Sequence, residues 1–192
     1  MKKNIITLAL TIVFGASATA ASPIEGDKKD VNTSESTIVW KGYKVTGSHQ
    51  GTMALASGHL EFENGGLSGG EFVVDMTSIT CTDLSGGMKG KLEGHLKSKD
   101  FFGVDDHPTS KLVFTNVKAN GKNSYEVTAN LTIKDITKQV SFDISIYGSK
   151  ATASLKVDRA EYDVRYGSGS FFDNLGDKTI YDEFDLVIDL VF

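Results

Sequence analysis

The stretch GHLKSKDFFGVDDHPTSKLVF, residues 94–114, holds the densest group of side chains able to move protons. His95, Asp100 and His107 could serve as acid and base on a bound substrate. Nothing in their spacing fixes their mutual geometry, so the same residues also read as the wet side of a connection. In that second reading, His95 and Asp100 brace the connection with hydrogen bonds. The remaining histidines are His49 and His59, and no pair has the i, i+4 spacing or the H-E-x-x-H arrangement of a helical zinc site. A metal would need long-range convergence; the alternative is separate histidines near turns, and no metal is expected. Asp173-Asn174-Leu175-Gly176-Asp177 lacks the alternating ligands and closing glutamate of a calcium loop and reads as a turn. Gly66-Leu67-Ser68-Gly69-Gly70 matches G-x-S-x-G. That motif exposes a nucleophile only where a strand turns into a helix, and here strands flank it on both sides. The single cysteine, Cys81, reads as a buried or half-buried thiol. No phosphate loop or dinucleotide fingerprint is present, and no cofactor is expected.

Two arginines, Arg159 and Arg165, are the only ones in the chain. A guanidinium grips phosphate or carboxylate as a fork; pairing with Asp158, Asp163 or another acid is the competing use. Phe101-Phe102 and Phe171-Phe172 raise a different question. Sequence neighbours cannot both face one core in a regular element. Either one ring of each pair meets a second apolar surface or a ligand, or the loop tucks over the core and covers both.

The elements that must carry these residues are strands. The chain has twenty glycines and two prolines, and apolar residues alternate with polar ones through most of it. In SYEVTANLTIK, Tyr125, Val127, Ala129, Leu131 and Ile133 share one face, the period-two mark of a half-buried strand. The pattern recurs through Val140, Phe142, Ile144 and Ile146, through Ala151, Ala153, Leu155 and Val157, and from Ile180 to Phe192. Earlier strands are expected over 37–46, 52–63, 67–76 and 111–119. About eight strands joined by short Gly- and Asn-rich turns predict an antiparallel meander, closed as a barrel or stacked as a sandwich. Parity fails near Arg159-Ala160, where a β-bulge or corner is expected. Leu84, Met88, Leu92 and Leu96 recur every four residues and predict a short helix over 84–98. Its glycines weaken it, so it must be held by packing against the sheet.

The chain opens with a basic Lys2-Lys3, an apolar run from about Ile5 to Ala16 and Ala18-Thr19-Ala20. This reads as a signal peptide over residues 1–20, followed by a flexible polar leader over 21–35 and one domain over 36–192. The apolar run is too short for a transmembrane helix. Formal net charge is −5, and no basic patch stands out, which argues against nucleic-acid binding. An exported chain with one cysteine has no internal disulfide framework.

The order of several motifs resembles the YceI-like family. These are Trp40-Lys41-Gly42, Gly47-Ser48-His49-Gln50-Gly51, Val74-Asp75-Met76-Thr77-Ser78-Ile79, His95-Leu96-Lys97-Ser98 with Asp100-Phe101-Phe102 and Pro108, Asn130-Leu131-Thr132-Ile133-Lys134, and Val157-Asp158-Arg159. The resemblance implies an all-β, eight-stranded antiparallel lipocalin-like barrel with a short helical segment. It also implies a periplasmic or secreted location, a polyisoprenoid or similar amphiphile in the lumen, frequent dimers, and no agreed catalytic residues. Asp135 stands where the family usually has glycine, which bears on the turn type.

Three readings follow. The first is a binding module for an isoprenoid or fatty-acid-like chain. Its apolar contacts would be Trp40, Phe72, Val74, Met76, Leu92, Leu96, Phe101, Phe102, Phe114, Val127, Leu131, Phe142, Ile144, Leu155 and Phe171, with Arg159 or Arg165 at the head group. Small Ala129, Ala151 and Ala153 leave room. Ten buried methylenes at about 0.8 kcal/mol each give roughly 8 kcal/mol, about micromolar before ordering costs. The second is an enzyme using His95, Asp100 or His107. The third is a stress-response or structural partner protein without bound lipid.

Overall fold

The computed structural model describes residues 26–192. The signal-peptide reading of residues 1–20 and the first part of the leader lie outside the described residues. Nine antiparallel strands form one sheet: β1 (Asp27–Asp30), β2 (Thr37–Lys44), β3 (Gly47–Glu63), β4 (Gly66–Cys81), β5 (Thr109–Ala119), β6 (Ser124–Ile133), β7 (Ile136–Tyr147), β8 (Lys150–Asp158) and β9 (Ile180–Val191). A helix, α1 (Gly86–Lys97), lies between β4 and β5. Strands β2 to β9 pair each with the next in sequence, except that β9 returns to β2 and closes an eight-stranded barrel. Closure removes the free edges that an open sheet would expose.

The leader expectation needs correcting. Asp27–Asp30 pair with the outer half of β3, opposite His59 to Phe62, and Val31 is buried in the core. The polar sequence hides this because the strand's own side chains are all exposed. Its stability comes from backbone pairing against β3, which outruns its other neighbour, β2.

The barrel has two unlike ends. At one, short turns at 64–65, 120–123 and 148–149 join the strands. There Val31, Leu60, Leu67, Val127, Ala129 and Ala151 fill the interior as a packed core. At the other end lie the 45–46 turn, α1 with the loop 98–108, the 134–135 turn and the long 159–179 connection. The parity break expected near Arg159 is a corner of another kind: β8 stops at Asp158 and the chain turns through a 3-10 helix, Arg159–Tyr162. The Asp158 side chain caps it by accepting from Ala160 N, and this turn carries Arg159 inward.

The four-residue stripe on α1 holds only in part. Leu92 and Leu96 face the barrel, but Met88 is 67% exposed. A helix turns about 3.6 residues per turn, so a four-residue repeat drifts off one face. Leu84 does pack inward, yet it precedes the helix. No side chain caps the N-terminus at Ser85. The helix is instead pinned from its middle. The Glu93 carboxylate accepts hydrogen bonds from Thr80 Oγ1 and Cys81 N on β4, at 2.5 and 2.8 Å.

The turn between β6 and β7 uses two left-handed residues, Lys134 and Asp135, at φ 50° and 60°. Such a pair matches the right-handed strand twist of a two-residue hairpin. Asp135 can stand where glycine is usual because short acidic side chains tolerate this region better than most. Its carboxylate lies 2.9 Å from His107 Nδ1 on the loop 98–108.

Candidate ligand-binding site

Inward-facing side chains of the barrel enclose a cavity of about 310 Å³ at the α1 end. This is the lower range of small-molecule sites, which run to roughly 1,000 Å³. Its walls come from every barrel strand. Of the residues expected from sequence, Trp40, Phe72, Val74, Met76, Leu92, Leu96, Phe101, Phe102, Phe114, Leu131, Phe142, Ile144 and Leu155 line it. Val127 does not. It is fully buried in the packed end, where it faces core rather than cavity. Phe171 is also outside, 39% exposed on the 159–179 connection, with the Arg165 guanidinium 5.0 Å above its ring. Ala153 gives the cavity room, whereas Ala129 and Ala151 sit in the filled half. Ile38, Met53, Leu55, Ile79, Leu112, Ile133, Ile180, Phe184, Leu186, Ile188 and Leu190 add the rest of its apolar wall. Most of these share a face with the expected residues on the same strand, or belong to the β9 alternation, so strand parity extended over the full length would have found them.

Trp40 fixes one side of the wall. Its Nε1 donates to Thr80 O at 3.2 Å. The ring lies opposite Gly51, where an added Cβ would meet Thr80 O at 1.8 Å and the indole at 2.7 Å. Only glycine allows β4 and the indole to approach β3 so closely.

The loop after α1 closes over the cavity. Phe102 N and Val104 N donate to the last helical carbonyls, Leu96 O and Lys97 O, and Gly103 takes φ 57° to turn the chain back. Because this is a turn and not a regular element, both rings of the Phe101-Phe102 pair reach the cavity, edge to face at 5.1 Å. The pair 171–172 does the opposite: both rings are partly exposed.

The charged residues sort themselves by partner. Arg159 is 2% exposed. It donates to the carbonyls of Tyr181, Val164 and Ile180 at 3.2, 2.8 and 3.0 Å, and lies 3.2 Å from Asp182 Oδ1. Its guanidinium also stacks 5.2 Å over Phe101. Burial pushes its pKa down from the ordinary value, and Asp182 and Asp158 oppose that. Arg159 therefore reaches the cavity wall as a clamp that joins the 159–164 turn to β9, and its donors are largely spent on the protein. Arg165 pairs with Asp163 at the surface, outside the cavity. Neither arginine is a free head-group fork.

The four histidines occupy separate places. His59 lies by Glu61 and His107 by Asp135. His95 lines the cavity, packed edgewise on Phe101 at 5.5 Å and Tyr166 at 4.3 Å; its Nε2 is buried without a hydrogen-bond partner. The expected bracing by His95 and Asp100 is not seen. The brace is Ser98 Oγ donating to the His95 carbonyl at 2.8 Å, while Asp100 is exposed. His49 lines the rim with Nδ1 3.1 Å from Asp83, and the same carboxylate accepts from the Cys81 thiol at 2.9 Å. The acid thus lies between the thiol and the imidazole, so His49 cannot take the thiol proton directly. Burial first, and the Asp83 hydrogen bond with it, push the Cys81 thiol up, away from the thiolate. Among the described residues no group of three potential ligands could hold a metal ion.

A sequence profile of the YceI-like domain matches residues 30–192. The chain belongs to the YceI-like family. Among curated relatives, a UPF0312 protein of Pseudomonas putida is 26% identical over 153 residues, 77% of this chain and 74% of that one. A UPF0312 protein of Azotobacter vinelandii is 26% identical over 149 residues, 73% and 70% of the two chains. Among solved structures, BcnA of Burkholderia cenocepacia superposes with a TM-score of 0.67 at 22% identity, covering 85% of this chain and 99% of that one. A polyisoprenoid binding domain from Saccharophagus degradans, implicated in plant cell wall breakdown, gives a TM-score of 0.60 at 13% identity, covering 84% and 97%. At such identities these likenesses show the fold, a YceI-like barrel with one helix.

Proposed function

We propose that the protein binds a long-chain amphiphile, an isoprenoid or fatty-acid-like molecule, in the α1-side cavity and acts by carrying or sequestering it rather than by catalysis. The observation that carries this reading is the half-filled barrel: one end is packed solid and the other is an apolar chamber walled by all eight strands. Empty apolar space inside a core is costly, because its lining forfeits dispersion contacts. An apolar chain restores them. Membership of the YceI-like family and the likeness to a polyisoprenoid binding domain support the same ligand class. The N-terminal pattern of residues 1–20 supports export to the periplasm, where a water-insoluble chain needs a carrier between membranes.

The test fills the chamber from within. Ala153 lines the cavity on β8, and Ala153→Phe places a ring there, with Ala153→Leu as the milder version. Wild type should enhance the fluorescence of N-phenyl-1-naphthylamine and release it to geranylgeraniol. Ala153→Leu should weaken that binding and Ala153→Phe abolish it, with cooperative unfolding retained. Undiminished binding in a folded Ala153→Phe protein contradicts the lumen as the site.

A further inference from the structure

Alternation along β2 continues past the apolar wall. Ile38, Trp40, Gly42 and Lys44 line the cavity, with Tyr43 also reaching its rim, so the inward alternation of the strand ends at a lysine. Across the ladder Gly42 pairs with His49, which places His49 on the same inward face beside Lys44. Gly42 leaves open space between them: a Cβ built there meets nothing within 4 Å. The result is a notch at the rim of an otherwise apolar chamber, with a cation on one side and an imidazole on the other.

The other charges near this rim are committed. Asp83 holds His49 Nδ1 and the Cys81 thiol, Asp182 faces Arg159, and Asp185 accepts from Tyr43. Arg159 is spent on three carbonyls. Lys44 is half-buried, and among the described residues no carboxylate lies within ion-pair distance of it. A lysine at the rim of an apolar chamber, with no carboxylate at ion-pair distance, has its charge available to an anion. Asp83 holds His49 Nδ1 at 3.1 Å, which leaves Nε2 for a hydroxyl of the head group.

We infer that Lys44, with His49 and the Gly42 notch, is the head-group station of the cavity and selects amphiphiles whose polar end is anionic, a carboxylate or a phosphate monoester. This rests on the lumen being the chain site, and it moves head-group recognition from the arginines to the β2–β3 rim.

Three isoprenoids of one chain length separate the two proposals and the two head groups: geranylgeraniol, geranylgeranoic acid and geranylgeranyl monophosphate, each displacing N-phenyl-1-naphthylamine from the full domain. In wild type at least one of the two anions should displace the dye at about tenfold lower concentration than the alcohol, the gain expected of one charge-assisted contact. Whether acid or phosphate leads identifies the head. Lys44→Met should erase that advantage, so that all three displace the dye at similar concentrations, whereas Lys44→Arg should keep it. Equal displacement by all three in wild type overturns the inference, as does a preference that survives in Lys44→Met. Displacement by the alcohol alone overturns it while leaving the lumen site standing; no displacement by any of the three overturns both.

Discussion

At the residue scale, two buried polar side chains of the same turn meet opposite fates. Arg159 finds three carbonyls and a carboxylate, so its burial is compensated. Tyr162 does not: it is 1% exposed and its buried hydroxyl has no partner among the described residues. Burial chiefly, with Glu161 and Asp158 adding, pushes its pKa up to about 12 from 10.0. The neutral phenol is the form the fold accepts. Between the unfolded value near 10 and the folded value near 12, the folded state holds a proton that the unfolded state has lost. Stability therefore falls across that window as pH rises, by about 3 kcal/mol in total. Tyr162→Phe should remove this contribution. Near neutral pH it should be neutral or stabilising by about 1 kcal/mol, because it deletes an unsatisfied hydroxyl. Urea unfolding of both proteins at pH 7, 10 and 12 checks it; a clear loss of stability in Tyr162→Phe at pH 7 would reveal a partner for the hydroxyl.

Elements differ in how they are held, and α1 is the one held least by its own sequence. Gly87, Gly90 and Gly94 have open space at their Cβ positions, so no close packing demands glycine there. The helix stays because Leu92 and Leu96 face the chamber and Glu93 reaches back to β4. The Thr80 hydroxyl first, then the Cys81 amide, hold the Glu93 carboxyl below its ordinary 4.5. A depressed carboxyl contributes above its unfolded pKa and loses that contribution as pH falls through the folded one. The helix should therefore loosen below about pH 4.5. Hydrogen exchange of the α1 amides should show protection falling there in wild type. In Glu93→Gln, protection should be lower at neutral pH and less dependent on acid. Equal protection in both proteins at neutral pH would mean that the apolar contacts alone hold the helix. The alternation in β5 to β9 was legible because each strand buries one face. The corner at Arg159 was legible as a parity break, but not as a 3-10 turn, since parity reports a change of face and not its geometry. Strand β1 was hidden because backbone pairing leaves no apolar pattern.

Across the whole molecule, the division into a filled half and an open half is what sequence could not supply. Inward-facing Val127 and Leu131 stand two places apart on one face of β6, yet one is core and the other lines the cavity. Position along the barrel axis decides this, and position depends on which loops close which end. The arginines show the same limit. Arginine chemistry pointed to Arg159 and Arg165, and only the contacts of the folded chain show one clamped and the other outside. Lys44 was in plain view at an inward position of β2, but its isolation from acids is a three-dimensional fact. The barrel's purpose turns on what the open half contains. Native mass spectrometry of the intact protein, purified without detergent from the cells that make it, measures this directly. The expected result is a folded species heavier than the chain by the mass of one long-chain amphiphile, and loss of that mass in Ala153→Phe. A wild-type protein that carries only its own mass, and that takes up no chain when offered one, would contradict it.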